Sequence, residues 1–249
     1  MTDSSASAAP AQPPADNIFT RLRDDRWMLG LVVGGVVALI ATAFTPKTIT
    51  GLPAHPLLLH MPVIFVPCLA VAAIAFSIKP EWRERYDIAY GIGAIVTAFG
   101  TLVAANAGES YLHMKTGVGE GQISALAARD PEIKALQHHA DLGGDTKVVV
   151  SLLAAVILIQ IALDRNIVQR VSDWFKDHRA APSIALAAIT GALAVAAATF
   201  TLLAGHAGAK LTFGHEERDG ADRAGQLPPG AGNFRDRDGD GFQGGPPAR

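Results

Sequence analysis

The sequence predicts an all-α membrane protein with five transmembrane helices, and three observations carry that prediction. Hydrophobic residues make up 49% of the 249 positions and charged residues 18%, with a mean hydropathy of +0.26, too apolar for an ordinary soluble domain of this size. Five segments are apolar enough to cross a bilayer, which takes about 20 residues per helix. Lys and Arg gather at alternate ends of those segments, as in a chain threaded through a membrane. The net charge of −2 argues against a basic nucleic-acid-binding surface. The single cysteine, Cys68, excludes an intrachain disulfide, a cluster held by cysteines of this chain, and a CxxCH haem attachment.

The first 16 residues, MTDSSASAAPAQPPAD, are rich in Ser, Ala and Pro and are expected to form a disordered cytoplasmic tail. They lack the basic start and nearby apolar run of a signal peptide. The spans follow as Trp27–Phe44, Pro56–Ile78, Ile88–Ala107, Val148–Leu163 and Ile184–Ala204. The fourth is short and is expected to begin about a turn earlier. Arg21, Arg23 and Arg26 precede the first span; Lys79, Arg83 and Arg85 lie between the second and third; Arg165, Arg170, Lys176 and Arg179 follow the fourth. That bias puts the N-terminus in the cytoplasm and the C-terminus outside it. Small residues, among them Gly91, Gly93 and Gly100 on one helix and Gly191, Ala194, Ala197 and Ala198 on another, suit close helix packing.

The loop 108–146 carries Ile123, Leu126, Ala127, Ile133 and Leu136 at a spacing that predicts a short amphipathic helix interrupted at Pro131, lying on the membrane surface or capping the bundle. Residues 216–249 read as a disordered extracytoplasmic tail. Within it, DRDGDG places Asp236, Asp238 and Asp240 as in the first half of an EF-hand loop, with Gly241 sixth. Pro247 stands where the bidentate Glu belongs, so a solvated charged tail is favoured over a calcium site.

Seven of the eight histidines fall on the extracytoplasmic side of this topology: His55, His60, His113, His138, His139, His206 and His215; His178 lies in a cytoplasmic loop. Histidine inside an apolar boundary is a functional candidate, and it ligates haem iron and transition metals. His55 and His60 are five residues apart, so one ideal helix turns them about 140° away from each other. His60 is then expected to be the buried one, and His55 an interfacial residue at the helix start, where Pro56 fits the first turn. Pro62 and Pro67 free the carbonyls of Leu58 and Val63 and bend the second span, making room beside His60. The set expected to hold a cofactor is His60, His139 and His206, from three helices, with two of them axial to a haem b. A Cu or Zn site built from the same residues with His55, His138, His215 and Glu109 is the alternative. A structural or assembly subunit in which the histidines merely form hydrogen bonds is the third reading. No charge interrupts the middle of a span and no inverted repeat is evident, which disfavours a transporter.

These residues also carry a resemblance. His60-Met61-Pro62-Val63, then His139-Ala140-Asp141-Leu142-Gly143, then Ala204-Gly205-His206-Ala207-Gly208-Ala209-Lys210-Leu211-Thr212-Phe213-Gly214-His215 resemble, in order, the motifs of a bacterial multi-pass membrane family called domain of unknown function twenty-two thirty-one. Met61 stands where that family has an aromatic residue, Ala209 replaces a Gly, and His215 lies two residues beyond a frequent His. The resemblance covers residues 52–215. It implies a four-helix membrane bundle, here with an extra N-terminal helix, in a bacterial inner membrane. Because relatives of that family occur fused to cytochrome c-like or Rieske-type domains, it also implies a redox partner of that kind. An electron-transfer or structural subunit fits this better than a stand-alone enzyme.

Overall fold

A computed structural model describes Leu22, residues 25–165, Ile167 and the backbone of 181–225, with side chains over 184–213 in that last segment. Its elements are α1 (Arg26–Thr42), a two-stranded antiparallel hairpin of β1 (Thr48–Ile49) and β2 (Leu52–Pro53), α2 (Ala54–Leu58), α3 (His60–Ile78), α4 (Pro80–Thr116), α5 (Glu120–Ala127), α6 (Pro131–Asp164) and α7 (Ala181–Gly225). The fold is all-α apart from the hairpin. Four stretches are long and apolar enough to cross a membrane: Ala54–Ile78, Pro80–Thr116, Pro131–Asp164 and Ile184–Phe213. The apolar α1 has 17 residues, about 26 Å of helix, and lies along α4.

The helices outrun the apolar segments that announce them. α4 extends the expected span 88–107 at both ends, and its kink at Tyr86 (φ −117°, ψ 17°) sets the first turns apart from the rest. It stops at Gly117, whose φ of 67° is the left-handed conformation glycine adopts without a Cβ clash. Pro131 does not interrupt a helix. It opens α6 behind Asp130, whose carboxylate accepts from the Glu132 and Ile133 amides. The amphipathic α5 is present, burying Ile123 and Ala127 against the bundle. The backbone of α7 stays helical through Gly225, past the expected start of the tail at 216; residues 1–16, His178 and Asp236, Asp238 and Asp240 lie outside the described residues.

The four long segments form a ring in which α3 packs on α4, α4 on α6, α6 on α7, and α7 back on α3. Val66, Ala73, Ala94, Val150, Leu153, Ile157, Ile161, Ala194 and Ala197 are fully sealed in its core. On α6, the positions 150, 153, 157 and 161 follow the helical repeat and define one inward stripe, while Val148, Leu152 and Ile159 face outward. Apolar residues on all sides are expected where lipid is the solvent. There, fit and dispersion rather than escape from water bind the helices. Gly91 admits Leu31 of α1, and Gly100 admits Met61 of α3; a Cβ would stand 2.8 Å from a carbon of each. Gly93 and Gly191 have open space instead.

Two ends of the ring differ. At the end where α1 and α4 begin and α6 stops, Arg165 donates from Nε to Asp87 (2.6 Å) and from an Nη to Asp25 (2.7 Å), and Arg83 donates to Asp164 (2.6 Å). Asp25 also caps α1 through the Trp27 and Met28 amides, a contact worth about 1 kcal/mol. Burial alone would raise the Asp25 pKa. Hydrogen bonds from Met28, Arg165 and Trp27, with the Arg165 charge, hold it below 3.8 instead. The same two carboxylates raise that of Arg165. At the opposite end the ring opens into a cavity.

Candidate functional site

The break between α2 and α3 builds one wall of this cavity. Pro62 has no N–H to give the Leu58 carbonyl, so α2 ends there and α3 starts at His60, although Leu59 itself keeps helical dihedrals (φ −59°, ψ −24°). One helical hydrogen bond is therefore missing at this turn, and Leu59, Pro62 and Val63 line the space beside it. The space opens next to His55, however, and not next to His60.

The cavity measures about 570 Å³ and is bounded by α2, α3, α4, α6 and α7. Two half-buried histidines enter it from different helices. His55 lies over α4, with Nδ1 2.9 Å from the Ala104 carbonyl; His139 lies over α7, with Nδ1 3.0 Å from the Ala204 carbonyl. A carbonyl only accepts, so each Nδ1 carries the hydrogen and each neutral ring keeps a lone pair on Nε2. No described residue bonds to either Nε2. The ring centres are 5.8 Å apart with planes at 65°, and Tyr111 stacks on His55 at 6.4 Å and 17°.

Each ring rests on a glycine one turn beyond its carbonyl partner. A Cβ on Gly108 would stand 2.8 Å from Cε1 of His55, and one on Gly208 would stand 3.0 Å from Cε1 of His139. Neither position takes even alanine unless the imidazole moves. Around the pair the walls are Thr, Ala and Leu, with Glu109, Lys115 and Glu132 among the lining side chains. Glu109 is bound to Lys147 on α6 at 2.7 Å, which ties α4 to α6 beside the cavity.

The structure divides the histidines differently from their sequence ranking. His139, of the expected ligand set, lines the cavity. His60 is exposed, its Nδ1 3.1 Å from the Leu57 carbonyl of its own turn, and takes no part in lining the cavity. The helical angle did separate His55 from His60, but the packing of α2 on α4 turned His55 inward and left His60 outside. His206 is exposed and also off the cavity; its neighbours Gly205 and Gly208 face it instead. His138 is exposed, and His113 is exposed beside the Val118 carbonyl at 3.1 Å. The side chain of His215 lies outside the described residues. Among the described residues no three His, Cys, Asp or Glu side chains converge as a metal cluster.

The residues that sequence reasoning passed over are Ala104, Gly108, Tyr111, Ala204 and Gly208, and the signal for most of them was present. Thr101 to Gly108 reads TLVAANAG, and Thr201 to Gly208 reads TLLAGHAG. The carbonyl and the glycine that hold each ring occupy the same places in both.

Fold and site together define a multi-pass bundle of apolar helices, suited to a lipid bilayer, with a two-histidine cavity at one end. No family model matches the chain, and neither a curated protein nor a solved structure matches it.

Proposed function

We propose that this protein is an integral membrane electron-transfer component that holds a haem b between His55 and His139. The observation that carries this reading is the pair of Nε2 lone pairs, each on a ring fixed through Nδ1 to a backbone carbonyl. That is the arrangement by which proteins set a ligating histidine's tautomer and aim. Two neutral rings that each donate through Nδ1 have no hydrogen to offer each other at Nε2, and a Lewis acid between them would satisfy both. With metal–nitrogen bonds of about 2 Å and the ring radii added, one metal ion places two imidazole centres about 6 Å apart, close to the 5.8 Å observed.

The number of donors favours haem over the Cu or Zn alternative. Zinc asks for four ligands, whereas haem iron brings four nitrogens of its own and needs two more. His55 and His139 supply two, and Glu109 is engaged with Lys147. The largely apolar walls suit a macrocycle. Bound there, the group would supply one-electron chemistry. The chain's own part would be to hold the group through His55 and His139 and to set its potential by partial burial. With His55 and His139 both bound to it, the group would have no place left for a gas or substrate, which favours electron transfer over ligand activation.

On the Lys and Arg bias the cavity faces the extracytoplasmic side of a bacterial inner membrane, where a cytochrome c-like or Rieske-type protein is the partner class. Kinship with the family resembled at 52–215 is part of this proposal. The test is a reduced-minus-oxidised visible spectrum of detergent-purified protein expressed with ample haem. A b-type band is expected in the wild type, in His60→Ala and in His206→Ala, and is expected to vanish in His55→Ala and His139→Ala. Stoichiometric metal without haem would favour the alternative, and folded wild type with neither would overturn both.

A further inference from the structure

We infer that the cavity arises from an internal duplication, in which residues 54–116 and 131–213 each supply one histidine and one cradle for it. Each half is a pair of antiparallel long helical segments, and the two halves run the same way. The first segment starts at the cavity end and returns to the charged end; the second comes back. Each half places its histidine near the start of its first segment and rests it on its own second segment. The resting place is T-L-x-A-x-x-A-G in both halves, at 101–108 and 201–208. The Ala carbonyl takes the Nδ1 hydrogen, and the Gly lies under the ring.

The equivalence extends through the walls. Thr101 and Thr201 both line the cavity, and both return their hydroxyls to the carbonyl four residues back, at 2.8 Å. On the first segments, the lining positions fall one, four and seven residues after each histidine: Pro56, Leu59 and Pro62 in one half, Ala140, Gly143 and Thr146 in the other. Those offsets are the helical repeat of a face turned to a cavity; what the halves share beyond it is the second-segment lining, where Thr101, Ala104, Ala105, Gly108, Glu109, Tyr111 and Leu112 stand a constant hundred positions before Thr201, Ala204, Gly205, Gly208, Ala209, Leu211 and Thr212. The site is thus a seam between two copies of one unit, and its occupant meets equivalent donors from both sides. The two faces of an iron porphyrin meet that condition, so this step rests on the haem reading. Gly108 and Gly208 are then matched positioning residues that hold the axial ring planes at 65°.

The ferric low-spin electron paramagnetic resonance spectrum of the detergent-purified, haem-loaded full chain tests this. Crossed axial imidazoles give a single, strongly shifted low-field feature; near-parallel ones give three resolved rhombic features. The wild type is expected to show the first kind. Gly108→Ala and Gly208→Ala are each expected to lose that feature while retaining haem, and to resemble each other, whereas Gly144→Ala, whose Cβ would meet nothing within 4 Å, leaves it unchanged. Bound haem with a rhombic wild-type spectrum, or a response to only one of the two glycines, would overturn the matched cradles and leave the haem reading standing. If neither glycine variant folds, the wild-type spectrum decides. A folded wild type that takes up no haem overturns the haem reading and the axial role together.

Discussion

The two ends of this bundle use polar groups in opposite ways. At the charged end every side-chain nitrogen of Arg165 that forms a bond meets a carboxylate, one from the cap of α1 and one from α4. Charge is matched to charge, and the end is closed. At the other end two imidazoles are each satisfied on one nitrogen only, and the second nitrogen of each is left with a lone pair beside a cavity. Completed networks serve stability, whereas half-completed ones cost stability and are kept where something else completes them. The contrast separates an end whose ionic groups are paired from an end with bonding capacity to spare.

Four measurements press on that contrast. The largest expected effect is from Arg165→Ala, which strands Asp25 and Asp87 together without their cation. A loss of about 2 kcal/mol is expected in detergent, between the limits for exposed and buried pairs, with the histidine cavity unaffected; an unchanged unfolding midpoint would show that this end is not the fastening. Acid should act on the same place. The Asp25 carboxyl is held below 3.8 in the fold, so its contribution is complete above that value and is lost as pH falls through its lower folded pKa. Unfolding scans from about pH 6 to about pH 2 should show a smaller acid loss in Asp25→Asn than in wild type. Lys147→Met should cost less, about 0.5 kcal/mol, because the pair it breaks with Glu109 is largely exposed. His55→Leu is expected to change stability least, by less than about 0.5 kcal/mol, since an apolar side chain replaces a half-satisfied ring. A large loss from His55→Leu in the apo-protein would break the comparison, by making the cavity end structural too.

Much of the fold is legible in the sequence because lipid imposes a simple rule: helices of sufficient length, apolar on every side. The second span ends at Ile78 in both readings. Where helix leaves the hydrocarbon the rule lapses, and the sequence misleads. α6 runs from Pro131 although its apolar run starts at Val148, because Asp130 and Pro131 start a helix on local chemistry alone. The site is less legible for a related reason. Helical angle says that His55 and His60 diverge but not which one faces the neighbours; that depends on where α2 meets α4. His206 drew attention as a histidine in a glycine-rich motif, yet the contributing groups of that motif are the Ala204 carbonyl and the absent side chain of Gly208. A backbone oxygen and a missing Cβ leave no trace in a search for ligand-type residues.

The reach of α6 beyond its apolar run has an electrical consequence. His139 and Asp164 are 25 residues apart on one helix, about 38 Å, while the hydrocarbon is about 30 Å thick. With Asp164 and Arg165 at one boundary, the two imidazoles lie at the headgroup level of the other. A transmembrane voltage falls across the hydrocarbon, at about 2.3 kcal/mol per elementary charge for each 100 mV. A charge reaching this cavity from the adjacent water crosses almost none of that drop. Under the proposed function, its arrival and departure would therefore be insulated from the membrane potential, even though the helices that hold the cavity are long enough to span the whole field.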